Sequence, residues 1–241
     1  MRIRTAAAFR CQGRLEREAR ALGYSAVAGV DEAGRGSLFG PVFAAAVVLS
    51  QDSVVRGLRD SKVLDPERRT VLAARIRERA VAWAVACSDA GEIDRMNIYQ
   101  ASRLAMRRAV QRLSPPCDYL LVDAVSVDLP LPQRNLIHGD ARVQSIAAAS
   151  ILAKVHRDLC MAAWDAVFPE YGLARHKGYG TPEHLSALDR FGPTPLHRFT
   201  YEPVRVRARF LAPTGEVAEE NTQLPLPLDD GATLTPGGYG Q

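Results

Sequence analysis

Residues 24–49 read YSAVAGVDEAGRGSLFGPVFAAAVVL, and this stretch decides the fold. An apolar run over 24–30 halts at Asp31-Glu32, the glycine-dense Gly34-Arg35-Gly36 follows, and a second apolar run occupies 41–49. Two such runs about a glycine turn read as strand, turn, strand, and the link is too short for the crossover that parallel neighbours need. The pair is therefore antiparallel. Further along, Asp65-Pro66-Glu67 supplies an N-cap, a first-position proline and a first-turn acid for a helix to about Arg79, ahead of the strand-like VAWAVAC at 81–87. Residues 97–113 keep apolar positions at helical spacing until Ser114-Pro115-Pro116 stops them. A short buried-type strand at 119–122 ends at Asp123, and a weak strand is expected near 136–137. A long helix then covers 144–167 and closes at Pro169. Segments 182–191 and 196–198 read as a small helical extension finishing near Pro203, and residues 1–22 as a weak helix or lead-in. Interleaved helices with an antiparallel first pair imply an α/β fold on a mixed sheet, not a doubly wound one.

The chain has 241 residues, 47% hydrophobic and 24% charged, which excludes collagen, coiled coil and wholesale disorder. One core of this length needs no staple. Cys11, Cys87, Cys117 and Cys160 form no C-x-x-C pair, which fits a reducing cytoplasm rather than a disulfide scaffold or zinc knuckle. Arg10, Arg14 and Arg17 interrupt any signal-peptide core, and no apolar run is long enough to span a membrane, so a cytoplasmic protein is expected. Charge is uneven. The stretch 211–241 holds five acids and no base, which leaves 31 bases against 22 acids before it, a net +9 on the folded body. A basic body favours an anionic partner such as nucleic acid.

Asp31 and Glu32 stand at the end of one strand, Asp123 at the end of another, and Asp140 just before the long helix. Any one such acid can serve as a cap, turn residue or surface charge, but Asp31-Glu32 is the exception, since a turn has no structural need of two charges beside a buried run. Carboxylates at strand ends can converge, and converging carboxylates repel unless a cation lies between them. Oxygen-only ligation suits Mg²⁺ or Mn²⁺, usually as two ions about 3.5 to 4 Å apart that activate water for phosphodiester hydrolysis. GRGSLFG lacks the Gly-Lys-Ser/Thr ending of a phosphate-binding P-loop.

The string GVDEAGRGSLFGPV at 29–42 resembles the signature of the ribonuclease HII family. DSKVLDPERR, MNIYQA, LLVDA, GDARVQSIAAASILAKVHRD and HKGYGTPEHL resemble further blocks of that family in the right order, over about residues 24–203. The resemblance implies a ribonuclease H-like mixed five-stranded sheet flanked by helices, with a C-terminal helical extension, over residues 23–205. It implies endonucleolytic cleavage of RNA in RNA–DNA hybrids and 5′ of single ribonucleotides in DNA, leaving 3′-hydroxyl and 5′-phosphate ends. Carried over by position, Asp31, Glu32, Asp123 and Asp140 are the catalytic, metal-binding carboxylates, holding two Mn²⁺ or Mg²⁺ ions. Gly34, Arg35 and Gly36 match the loop that reads the ribose 2′-hydroxyl, the one local group that separates RNA from DNA, and Tyr179 matches the tyrosine that stacks on the sugar. Lys62, Lys154, Arg157 and Lys177 are expected to touch backbone phosphates or balance the charge of the site. Ser150 and His176 are weighed as lining the groove, against packing in an alanine-rich helix for Ser150 and a surface position for His176, and receive no role, and Met96, Tyr99, Trp83 and Trp164 read as packing. Ser37 and His138 depart from the family's usual proline and lysine without removing a metal ligand.

Three other readings are weighed. A binding module that has kept the fold without catalysis would have lost an acid, and all four are present. A resolvase or integrase needs no 2′-hydroxyl reader. The sister ribonuclease HIII family carries an extra N-terminal domain, for which no room is expected before Tyr24. A monomer is expected. In the Pro-rich acidic stretch 211–241, read as a disordered tail, Gln223, Leu224, Leu226 and Leu228 resemble the short peptides that dock bacterial repair enzymes on the sliding clamp.

Overall fold

Strand β1 spans Val27–Ala33 and strand β2 Val42–Leu49 in the computed structural model, which describes residues 11, 13–51, 55–58 and 61–210. They pair antiparallel, Gly29 opposite Val47 and Asp31 opposite Ala45. β1 therefore does not stop before its acids: Asp31 and Glu32 stay in the ladder, because their backbones bond to β2 whatever their side chains carry. Strands β3 (Ala80–Ser88), β4 (Tyr119–Asp123) and β5 (Gln133–Leu136) complete a mixed sheet of order β3-β2-β1-β4-β5. β1 and β4, and β4 and β5, run parallel; the remaining pairs are antiparallel.

Helix α1 (Arg14–Ala21) precedes the sheet, α2 is Pro66–Arg79, α3 Ala90–Gln111 and α4 Gln144–Val167. β2 is apolar throughout because both its faces are covered. Ala44, Ala46 and Val48 pack on Ala105, Met106 and Ala109 of α3, while Ala45, Val47 and Leu49 pack on α2 and on Ala148, Ile151 and Leu152 of α4. α4 reaches the sheet closely enough that a Cβ on Gly29 would lie 2.1 Å from the Ser145 carbonyl carbon, so only glycine fits beneath its first turn.

Asp65 caps α2 by accepting from the Arg68 N–H, and the first-position proline follows it, as the sequence dictates. α3 begins earlier than its periodicity shows. A capping box of Asp89 and Glu92 opens it, and Asn97, at φ 70, breaks it and caps the second half by accepting from the Gln100 N–H. β5 lies at 133–136, short of Ile137.

The C-terminal extension consists of α5 (Leu173–His176), α6 (Pro182–Phe191) and α7 (Glu202–Phe210). Pro203 lies in the first turn of α7 rather than at its stop, as a residue with fixed φ and no N–H permits. The extension thus runs beyond 203, and residues 196–198 form a turn whose His197 bridges to Phe39 instead of a helix. Tyr99 is 43% exposed beneath the Arg103 guanidinium, and Trp83 is also exposed, so neither is core; Trp164 packs edge-on against Phe39. The four cysteines are free, and among the described residues no helix is long and apolar enough to cross a membrane.

Candidate active site

Parallel pairing brings the C-terminal ends of β1 and β4 to one edge of the sheet. Val30 lies beside Val122, and the next residues of the two strands are Asp31 and Asp123. Asp123 accepts from the Gly139 N–H at 2.7 Å, which ties the turn carrying Asp140 to the end of β4. The cleft there has a volume of about 490 Å³. Asp31, Glu32 and Asp123 line it together with Gly34, Arg35, Gly36, Lys62, Lys154 and Tyr179. Asp140 lies just behind, 4% exposed, with its Oδ2 3.6 Å from Lys62 Nζ.

Burial raises the Asp31 carboxyl well above the usual carboxylate range, and the charges of Glu32 and Asp123 push it the same way; Ser150 and the Glu32 N–H pull it back. Glu32 is also raised, first by burial, against the opposing pull of Arg35 at 3.4 Å. Like charges so placed call for a cation. The donor set is oxygen alone, which fits a hard divalent ion, although among the described residues no three acidic, histidine or cysteine side chains already close round one point. An open set of acids suits an ion that takes its remaining oxygens from water and a phosphate.

Not every residue singled out in the sequence reaches the cleft. Arg157 is 0% exposed. It lies beneath the loop, donates to the Lys177 carbonyl at 2.9 Å and sits 5.3 Å from the Tyr179 ring centroid, so it supports the rim and cannot meet a phosphate directly. Lys177 turns its ammonium to the Ala174 carbonyl. Lys154 does line the cleft, with its ammonium paired to Asp158, which also faces Arg69. The segment holding Gln223, Leu224, Leu226 and Leu228 lies outside the described residues.

The structure also gives roles to residues that sequence reasoning left without one. Ser150, on α4, hydrogen-bonds Ser61 at 2.9 Å and faces Asp31; a serine in an alanine-rich helix gives no sign of this. Tyr179, 38% exposed, is fixed from behind by a histidine pair. The Thr194 N–H donates to His197 Nδ1, which leaves His197 Nε2–H to donate to His184 Nε2 at 3.1 Å, and His184 Nδ1–H donates to the Tyr179 carbonyl at 3.0 Å. Both imidazoles are thereby held neutral, each in one tautomer.

A buried Asp31 and a half-buried Asp123 at the ends of parallel strands, beside a glycine loop and basic side chains, fit a nuclease of the hydrolase class on a ribonuclease H-like fold, and the relatives show that class. The family model for Ribonuclease HII matches residues 28–204. A ribonuclease HII of Solibacter usitatus is 67% identical over 202 residues, 84% of this chain and 89% of that protein. The ribonuclease H2 structure from Pyrococcus horikoshii superposes with a TM-score of 0.66 at 26% identity, covering 77% of this chain and 98% of that one. A PCNA:RNase HII complex from Archaeoglobus fulgidus gives 0.64 at 26% identity, covering 74% and 96%. The chain belongs to the ribonuclease HII family, and its activity is that of a ribonuclease H on RNA–DNA hybrids.

Proposed function

We propose that the enzyme cuts endonucleolytically, on the 5′ side of ribonucleotides within hybrids and of single ribonucleotides in duplex DNA, leaving 3′-hydroxyl and 5′-phosphate ends. The observation that carries this reading is the placement of buried Asp31 beside Asp123 at one sheet edge, in a cleft shared with the Gly34–Gly36 loop and Tyr179. Asp31, Glu32, Asp123 and Asp140 would hold the divalent cations, Mg²⁺ or Mn²⁺, two in the catalytic complex. When bound, these supply a water nucleophile at neutral pH and charge stabilisation for the phosphate. The chain's own residues do the rest. The loop presents its backbone to the ribose 2′-hydroxyl, Tyr179 offers a ring face to the sugar, and Lys62 and Lys154 add positive charge along the backbone path.

The test is nicking of an end-labelled duplex carrying one ribonucleotide, with Mg²⁺, with Mn²⁺ and with chelator, beside Asp31→Asn. Cation-dependent cutting 5′ of the ribonucleotide is expected, with a loss of about a thousandfold or more in the variant. Binding without cutting of this or a long hybrid would sink the reading in favour of a non-catalytic module.

The clamp reading of residues 223–228 is supported by the Archaeoglobus fulgidus complex, in which a relative is bound to PCNA. We propose that this tail tethers the enzyme to the sliding clamp and so raises its concentration on new DNA. A labelled peptide of residues 217–234 should bind purified clamp, and Gln223→Ala with Leu228→Ala should abolish it. An unchanged affinity would refute the tether.

A further inference from the structure

We infer that Arg198, with Tyr201, is the positioning residue of the Gly34-Arg35-Gly36 loop, the group that turns its amides toward the ribose; this rests on the reading of that loop as the 2′-hydroxyl reader. Arg198 is 0% exposed and gives each of its three guanidinium nitrogens to a carbonyl of one stretch of chain more than a hundred residues away, while Nη1 also donates to the Tyr201 hydroxyl at 3.2 Å. Nη2 donates to Gly34 O at 2.8 Å, Nη1 to Arg35 O at 2.8 Å, and Nε to Gly40 O at 2.9 Å. The Tyr201 hydroxyl donates to the same Arg35 carbonyl at 2.5 Å.

The consequence follows from peptide geometry. A trans peptide is planar, with C=O and N–H pointing in opposite directions. Drawing the Gly34 and Arg35 carbonyls inward to Arg198 therefore turns the N–H groups of Arg35 and Gly36 outward, and both residues line the cleft. Two amide donors, one residue apart, then face the place where a ribose oxygen would lie. A buried guanidinium is costly where packing alone is needed, since an apolar side chain would fill the space at lower cost. Lysine cannot substitute, because one ammonium lacks the planar fork that reaches three carbonyls at once. Arg157 presses on the same loop from another side, with its Nε 1.9 Å from where a Gly34 Cβ would stand.

The experiment compares binding of a duplex carrying one ribonucleotide with binding of the same all-DNA duplex, by fluorescence anisotropy in Ca²⁺ to suppress cutting. Wild type is set beside Arg198→Lys and Tyr201→Phe, and folding is checked by far-UV circular dichroism and a thermal melt. The expected result is a fall of about tenfold in preference for the ribonucleotide duplex in Arg198→Lys, and a smaller fall in Tyr201→Phe, with all-DNA affinity unchanged. Folded variants that keep the wild-type preference, or that weaken both duplexes alike, would overturn the inference while leaving the loop as reader. A wild type without any preference would overturn the loop reading and the inference together. If Arg198→Lys does not fold, Tyr201→Phe decides between these outcomes, since it removes only one hydroxyl from a half-buried residue.

Discussion

Gly34 has φ +97 and lies against the buried Arg157 side chain, and both constraints act on any substitution there. Alanine would take a backbone conformation that L residues rarely adopt, at a cost of about 1 to 3 kcal/mol. Its Cβ would also stand 2.4 Å from Arg157 Cδ, so the arginine beneath Tyr179 would have to move. Gly34→Ala should therefore lower stability by about that amount in urea unfolding and slow cutting about tenfold or more. Gly36 is the control: its nearest neighbour to an added Cβ is Tyr179 at 4.0 Å, so Gly36→Ala should fold as well as wild type. Equal stability of the Gly34 and Gly36 variants would show that the loop yields where the structure holds it fixed.

Helix α3 shows how a single residue can divide an element. Its second half begins at Asn97, which accepts from the Gln100 N–H while standing at φ 70, and alanine there would lose the cap and strain the backbone together. Asn97→Ala should cost about 1 to 2 kcal/mol, against a few tenths for Asn97→Gly, which relieves the strain; a reversed order would place the helix start elsewhere. The same residue explains what the sequence can reveal. The periodicity of 97–113 marks the second half because its apolar face packs on the sheet, whereas the first half is set by the capping box at Asp89, which leaves little apolar signal. The end of β1 is hidden for a related reason: side-chain character changes at Asp31, but ladder hydrogen bonds do not depend on it. Asp31 and Glu32 are visible because two adjacent acids beside a buried apolar run have no structural need to be there, whereas Asp123 and Asp140, single acids at a strand end and in a turn, stand out only through the family resemblance. Arg198, Tyr201 and Ser150 are not visible, because each is defined by a partner far away in sequence, and the LHRFTY run that carries Arg198 reads only as part of a helical extension. Arg157 looks like a surface cation one turn after Lys154, and only the packing of α4 under the loop shows it to be buried.

Across the folded protein, two buried populations of ionisable groups pull stability in opposite directions with pH. Burial holds His184 down to about 4 and His197 to about 3, each lowered further by a neighbouring histidine, against about 6.5 for a free imidazole. Below pH 6.5 the unfolded chain binds protons that the folded one refuses, so their contribution is full above that value and is lost as pH falls toward 4. The slope is at most about 1.4 kcal/mol per pH unit for each histidine. Asp31 and Glu32 act the other way: their raised values mean that the folded state takes protons first, so acidification relieves their repulsion when a chelator keeps cations away. Urea midpoints measured in chelator from pH 7.5 to 5 should therefore fall more with acid in Asp31→Asn than in wild type, because the strongest group opposing the histidines is gone. A profile with the same slope in both proteins would mean that Asp31 takes up no proton between pH 7.5 and 5 in the folded state, and that the case for a cation in the cleft cannot rest on its raised value.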